Sequence, residues 1–439
     1  MTGPDARRAN RSASTIRSAT SGRHVDHARV WVDVNDVTIL AGQLYSHRSR
    51  GTESASFTYE QSYLADPRAY ALDPALPLLS GTQQTPLNQR IFGAFSDSSP
   101  DRWGQRLIER SERRRAEAAG STARTFGAFD LLLGVRDDLR QGAIRYEVAA
   151  DFVADETAGV PAMTDLPTLL SAADNIAGDT DDSESLALLL RAGSSLGGAR
   201  PKAHVRDNNG RVAIAKFPSP NDDWNVMAWE KVALDLAAAA GVWIPENHLV
   251  SIAGRDVLIV DRFDRGADGQ RIGYMSLMTA LEANDGDVRS YIDIAEALEE
   301  RSVNVRDELA QLWRRVAFSI LISNTDDHLR NHALLHVHAE SWRLSPAFDL
   351  NPNPDPGPKH LSTAIGADTR ADLRDLLAVA SLFRLNDSDA LGILARVRAS
   401  VVQWRHVASA HGLAKSAVAG MTPAFEHSQA DLAADLVTA

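Results

Sequence analysis

The sequence predicts an α+β fold, strand-rich in its first third and mostly helical in its second half. Three patterns carry that expectation. From about residue 29, β-branched and aromatic residues alternate with polar ones through Val30-Trp31-Val32 and Val37-Thr38-Ile39-Leu40, as in strands with one buried face. Two further strand-like runs, residues 203–205 and 212–216, are joined by Asp207-Asn208-Asn209-Gly210, residue types that favour a tight hairpin turn. From about Ser290 onward the chain reads as mostly helical, and near its end Leu391, Leu394, Val397, Val401 and Trp404 share one helical face.

The elements follow in order. Strands are expected over residues 29–34, 37–44 and 55–59, and Pro67, Pro74 and Pro77 punctuate a loop. Residues 92–104 lead into a helix reaching about Glu117, with Ser99 or Asp97 as its expected cap, and Arg113-Arg114-Arg115 reads as a solvated face. Helix over 129–133 and strand over 142–146 complete a compact α+β unit. Residues 151–190 are rich in Asp and Glu and read as an acidic bridge, with short helices near Leu166 and Leu186. A helix over 225–240 places Glu230 near its middle, and the apolar run Val257-Leu258-Ile259-Val260 is a central strand running into a polar segment. The expected units are a disordered tail (1–28), an N-terminal subdomain (29–150), the bridge (151–190), a nucleotide-binding part (191–265), a helical catalytic lobe (266–420) and a frayed tail (421–439).

Bulk properties exclude several functions. The 439 residues carry a formal charge of −12, which argues against free binding to nucleic acid through a strongly basic surface. There is no cysteine, which rules out disulfides, thiolate catalysis and cysteine-based zinc sites. No apolar run approaches the ~20 residues of a membrane span, and the Arg- and Ser-rich start lacks the apolar centre of a secretory signal. A cytoplasmic location is expected.

The stretch 316–349 holds the chemistry. An apolar segment, residues 316–322, suits a buried helix and breaks into Asn324-Thr325-Asp326-Asp327-His328-Leu329-Arg330-Asn331. Taken singly, each Asp or Asn there reads as a cap or turn residue. As a set they match the needs of phosphoryl transfer: a carboxylate to orient a hydroxyl, then an Asn and a second Asp to hold magnesium against phosphates. Asp326 to Asn331 is the kinase-like step of five. A strand pair around Ala333-Leu334-Leu335 and Trp342-Arg343-Leu344 then leads to Phe348-Asp349, without the glycine that ordinarily follows such an Asp. Upstream, the small residues of Gly193-Ser194-Ser195-Leu196-Gly197-Gly198 allow backbone amides to approach a phosphate, although the stretch is neither a Walker A nor a dinucleotide fingerprint. Lys216 ends a buried-looking strand, where a lysine needs a carboxylate or phosphate partner. Glu230 has two readings of equal weight, as that partner or as an exposed surface carboxylate.

With the Ser195 loop, Lys216, Val260-Asp261-Arg262-Phe263-Asp264-Arg265, residues 324–331 and Pro346-Ala347-Phe348-Asp349 in order, the chain resembles the HipA family from about residue 29 to about residue 410. These are bacterial serine/threonine kinases that act as toxins of type II toxin–antitoxin modules. The resemblance implies a two-lobed protein-kinase-like fold with an N-terminal α+β subdomain and a mostly helical C-terminal lobe. It implies ATP and Mg2+. Asp326 stands as the catalytic base, with Lys216 on the phosphates and His328 near them. Asn331 and Asp349 stand as metal ligands. Ser195, Gly197, Gly198, Lys202, Asp261, Phe263, Asp264 and Phe348 stand as nucleotide contacts, with Ser195 also the autophosphorylated serine. Asp261 occupies a position that is often Glu. The implied partner is a small helix-turn-helix antitoxin of HipB type, which tethers the toxin to operator DNA. The implied substrate is a protein, an aminoacyl-tRNA synthetase being one reported class.

Three other readings compete. His328, His332, His336 and His338 are crowded at helical spacing, as in some zinc hydrolases, but no HExxH occurs. A lipid or small-molecule kinase would use the same ATP-handling residues. A non-catalytic kinase-like co-repressor would not need them all.

Overall fold

The computed structural model describes residues 25–49, 51–153, 159–180, 183–193, 198 and 200–438. They form three antiparallel sheets and a largely helical second half. The tail expected over 1–28 lies outside the described residues up to residue 24, and the first strand, His27–Val34, starts just beyond it.

The first sheet runs Thr82–Gln84, Thr52–Tyr59, Val37–Ser49, His27–Val34, Ile144–Val148, Asp151–Phe152. Alternation places Val30, Val32 and Val34 on its buried face. There Phe57 meets Phe95 of the Gly93–Asp97 helix at 5.5 Å between ring centroids. The next helix, Arg102–Ala118, is capped by Asp101, whose carboxylate accepts from the Gly104 amide at 2.7 Å. The expected caps are thus corrected. Asp97 is committed elsewhere, accepting from the Ser276 amide and hydroxyl at 2.8 and 2.7 Å.

The second sheet runs Lys202–Arg206, Val212–Lys216, Arg255–Asp261, Asn247–Ile252. Both of its faces are covered, which is why residues 257–260 are continuously apolar. Leu258 and Val260 join the main core with the Val226–Ala240 helix. Val257 and Ile259 point the other way into a second core. The helices Leu166–Ala177 and Ser183–Arg191, with Trp103 and Leu107, supply the far side of that core. The described part of the acidic segment expected as a bridge is therefore cover for a sheet face, with Leu166, Leu169, Leu170, Leu186 and Leu189 turned inward.

The third sheet runs Tyr274–Ser276, Ala333–His338, Ser341–Leu344. The last two strands are the pair expected after the site loop. Helices Tyr291–Arg301, Val305–Leu321 and Asp387–Val401 build the rest of the second lobe. After residue 421 the described residues, expected as a frayed tail, are helical. Helices Thr422–Phe425 and Ser428–Thr438 follow, Phe425 stacks on Trp404 at 4.6 Å, and Ala433 is fully buried. Short apolar residues inside an otherwise polar segment hid this packing from periodicity.

The N-terminal unit is tied to the second sheet by a buried charge cluster. Arg262 donates to the carbonyls of Leu139 and Arg140 at 2.7 and 3.0 Å. It also grips Asp264 through two bonds of 2.9 and 2.6 Å. Asp264 in turn accepts from the Gly142 amide at 2.8 Å and from Arg265 at 2.9 Å. Burial alone would raise the Asp264 pKa, but Arg262 and Arg265 outweigh it and hold the carboxyl below the ordinary carboxylate range. Removing one member of such a cluster leaves an uncompensated buried charge. Arg262→Met is expected to cost about 3–5 kcal/mol. Arg211→Met, which breaks the more exposed pair with Asp207, is expected to cost less than about 1 kcal/mol. Guanidinium unfolding of both variants checks this, and equally small losses would show that the cluster does not hold the unit in place.

Candidate active site

The site loop begins where the Val305–Leu321 helix is stopped. Ser323 takes a left-handed conformation (φ 55°). The Asn324 amide bonds back to the Ser319 carbonyl at 2.8 Å and the Ser323 amide to Ile320 at 3.2 Å. This is a Schellman ending, built without glycine. Asn324 is buried, and its side-chain oxygen receives the Asn351 amide at 3.4 Å. The end of the helix is thereby fastened to the segment that carries Asp349.

Within the loop the two adjacent aspartates diverge. Asp326 is exposed, whereas Asp327 is buried. The Asp326 carbonyl accepts from the His328 amide and from the Asn331 side-chain nitrogen, each at 3.0 Å. That second bond closes the five-residue step. It also uses the donor half of the Asn331 amide and leaves its oxygen as the group suited to a cation. His328 is half-buried, and its Nδ1 has no partner among the described residues.

Lys216 lies at the meeting of three elements. Its ammonium donates to Glu230 Oε1 on the Val226–Ala240 helix at 2.5 Å and to Asp349 Oδ1 at 3.0 Å. Of the two readings of Glu230, the structure takes the paired one. Burial would lower the Lys216 pKa, but Asp349 and Glu230 reverse that and keep the amine charged. Beside it the Asp349 carboxyl is held down at about 2, burial being outweighed by Lys216. Asp349 itself adopts a left-handed backbone (φ 61°), a conformation that Asp tolerates better than most residues. The segment before it is anchored by the Leu344 amide on Glu308 at 2.7 Å and the Ala347 amide on the Trp243 carbonyl at 2.7 Å. Phe348 and Phe263, at the ends of two separate strands, approach with ring centroids 5.4 Å apart.

Strand register adds a second cation. Lys202 is the cross-strand neighbour of Lys216 and shares its sheet face. Two lysines so placed would repel, and each has its own carboxylate. Lys202 is paired with Asp101 at 2.6 Å, both nearly fully buried. A Cβ on Gly198 (φ 113°) would lie 3.1 Å from the Lys202 amine, so the glycine lets the backbone pass close over it. Ser195 and Gly197 lie outside the described residues.

Two of the expected nucleotide contacts have side chains committed elsewhere. Both Asp264 oxygens are already engaged within the buried cluster. Asp261 pairs with Ala213 and shares the back face with Val257 and Ile259, opposite Leu258 and Lys216. Its carboxylate stands 3.5 Å from Arg211 and lines a back-face cavity of about 470 Å³. A side chain one residue out of phase with Lys216 cannot share its face. The crowded histidines also separate, His332 packing beside Asp327 and His336 stacking on Tyr70 at 3.8 Å. Among the described residues no three His, Asp or Glu side chains gather as for a metal ion. Sequence reasoning missed Asp101, which sits 101 positions before its partner Lys202. The only local signal was its place just before the helix it caps.

A family model described as the HipA-like C-terminal domain matches residues 194–405. A Haemophilus influenzae protein named "Putative kinase" is 25% identical over 179 residues, covering 36% of this chain and 52% of that protein. The chain thus spans about half the length of that relative. A Sinorhizobium fredii protein, "Putative kinase Y4mE", is 24% identical over 322 residues, covering 67% of this chain and 71% of that one. Among solved structures, HipA of Shewanella oneidensis MR-1, in complex with HipB and operator DNA, superposes with a TM-score of 0.64 at 15% identity. That match covers 94% of this chain and 99% of HipA. The expected α+β, two-lobed kinase-like architecture agrees with that match. Residues 194–405 thus match a HipA-like C-terminal domain, in a fold that resembles that of HipA along most of the chain.

Proposed function

We propose that this chain is an ATP- and magnesium-dependent serine/threonine protein kinase of HipA type. In this reading it is a toxin that phosphorylates a protein of the translation machinery, an aminoacyl-tRNA synthetase being one candidate class. A helix-turn-helix antitoxin of HipB type neutralises it. The observation that carries the proposal is the joining of an exposed Asp326 to the Lys216 cradle through Asn324, Asn351 and Asp349. The loop that carries this exposed carboxylate is tied to the segment that holds Lys216, and Lys202 shares the sheet face of that lysine.

In the proposed mechanism Asp326 accepts the proton of the substrate hydroxyl as its oxygen attacks the γ-phosphorus and ADP departs. Lys216, oriented by Glu230, exchanges its contact with Asp349 for a phosphate oxygen. Asn331 and Asp349 suit magnesium, because that ion takes oxygen ligands and binds one or two carboxylates with phosphates completing its shell. When bound, it would neutralise charge on the transferred phosphate. Phe263 and Phe348 offer an apolar face for the base of the nucleotide. The same residues serve a lipid or small-molecule acceptor, so the acceptor is identified by labelling and not by the cleft.

Transfer of labelled phosphate from ATP is expected for the wild type. Asp326→Gln is expected to lower it at least ~100-fold with unchanged unfolding temperature. Full activity in that variant would remove Asp326 as the base, and no transfer by the wild type would favour the co-repressor reading. Titration calorimetry tests the metal ligands: Asp349→Asn should weaken MgATP binding more than binding of ATP without magnesium, and equal losses would unseat Asp349. After incubation with MgATP, mass spectrometry should place phosphate on Ser195, with ATP affinity reduced because the added charge of about −1.5 to −2 repels the triphosphate. Phosphate on Ser194 alone, or undiminished affinity, would reject this self-regulation.

A further inference from the structure

Behind Asp326 lies a buried polar network that the proposed mechanism does not use. Asp327 is 3% exposed. One of its oxygens accepts from the Tyr291 hydroxyl at 2.6 Å and from the Ser319 hydroxyl at 3.2 Å. The other stands 3.0 Å from His332 Nε2, an ion-pair distance without hydrogen-bond geometry. Tyr291 belongs to the Tyr291–Arg301 helix and Ser319 to the Val305–Leu321 helix, and both are fully buried. Edge-on packing of the Tyr291 and His332 rings at 5.9 Å closes the group. Arg315 is the remaining buried charge acting on Asp327.

The main chain is held at the same point. The Asp326 carbonyl and the His328 amide bond across Asp327, a three-residue turn. The Thr363 hydroxyl donates to the Asp327 carbonyl at 2.7 Å, and Ser362 donates its amide and hydroxyl to the Thr325 carbonyl at 3.1 and 2.9 Å. Two helices, one strand start and one loop therefore converge on the residue next to the base. A buried carboxylate is costly unless its oxygens are satisfied, and one plain apolar residue would fill the same space without that demand. What the carboxylate adds is direction. Its partners fix which way residue 327 points, and the tight turn then leaves Asp326 exposed.

We propose that Asp327, Tyr291 and His332 are positioning residues that hold Asp326 in the geometry needed to orient the acceptor hydroxyl. This rests on the kinase reading above and deepens it. A base displaced by a fraction of an ångström loses rate without losing substrate affinity. Tyr291→Phe keeps the ring and removes one donor, Asp327→Asn keeps the shape and removes the charge, and His332→Gln retains a polar side chain beside Asp327 that His332→Leu lacks.

The experiment measures kcat, the KM for ATP, the fraction folded and hydrogen exchange of the 324–331 amides for all four variants beside the wild type. Asp327→Asn and His332→Leu are expected to lower kcat about 10-fold with KM changed less than about 3-fold, in the range seen when supporting contacts of a site are removed. His332→Gln should recover most of the loss, and exchange of the loop should speed up in Tyr291→Phe and Asp327→Asn. Unchanged kcat in folded variants, a fall in kcat that only tracks the folded fraction, or no difference between Gln and Leu at 332 would overturn the proposal. If the wild type transfers no phosphate, the kinase reading fails by itself. Loop exchange then decides: unaltered protection in Tyr291→Phe and Asp327→Asn would also overturn the positioning role.

Discussion

A half-buried ammonium, its side chain 15% exposed, joins the two lobes. Lys216 bridges Glu230, on a helix of the first lobe, and Asp349, at the end of a strand pair in the second. A lysine this enclosed stays charged only because two carboxylates answer it, so strand, helix and Asp349 segment must meet at one point. From that point the connections spread. Asp349 is linked through Asn351 to Asn324, which ends the helix that supports the 324–331 loop. A residue that grips phosphate in the proposed reaction is thus also the one that locates the metal ligand and, at one remove, the base.

The N-terminal unit is built into the same arrangement. Asp101 caps its own helix with one oxygen and holds Lys202 with the other, and the Trp103 indole donates to the Lys202 carbonyl at 3.1 Å. Arg262, Asp264 and Arg265 clamp the 139–142 segment to the far end of the same sheet. Both cleft-facing lysines therefore depend on parts of the chain remote from the cleft. Any partner that moved the Arg102–Ala118 helix would act directly on the strand that carries Lys202.

Much of this was written locally. The run of four apolar residues at 257–260 announced a strand covered on both sides. Asp207 to Gly210 announced the hairpin of Lys202–Arg206 and Val212–Lys216. The spacing of Asp326, Asn331 and Asp349 suggested phosphoryl transfer, because that chemistry asks for those groups at those intervals. Period and turn chemistry are properties of a few consecutive residues, so they can be read in one dimension.

Which charge meets which is not such a property. The sequence by itself determined the elements, the placement of the loop between a buried helix and a strand pair, and the residue types that chemistry could use. Only the tertiary structure decided that Asp101 serves Lys202, that Glu230 turns inward, that Asp261 falls on the back of the sheet and that Asp264 belongs to a structural clamp. It also decided that Asp327 is buried on a tyrosine 36 positions away while Asp326 stays exposed. The reason is that a carboxylate's role depends on whether burial, a guanidinium, an amine or water surrounds it, and those surroundings are assembled from segments far apart in the chain.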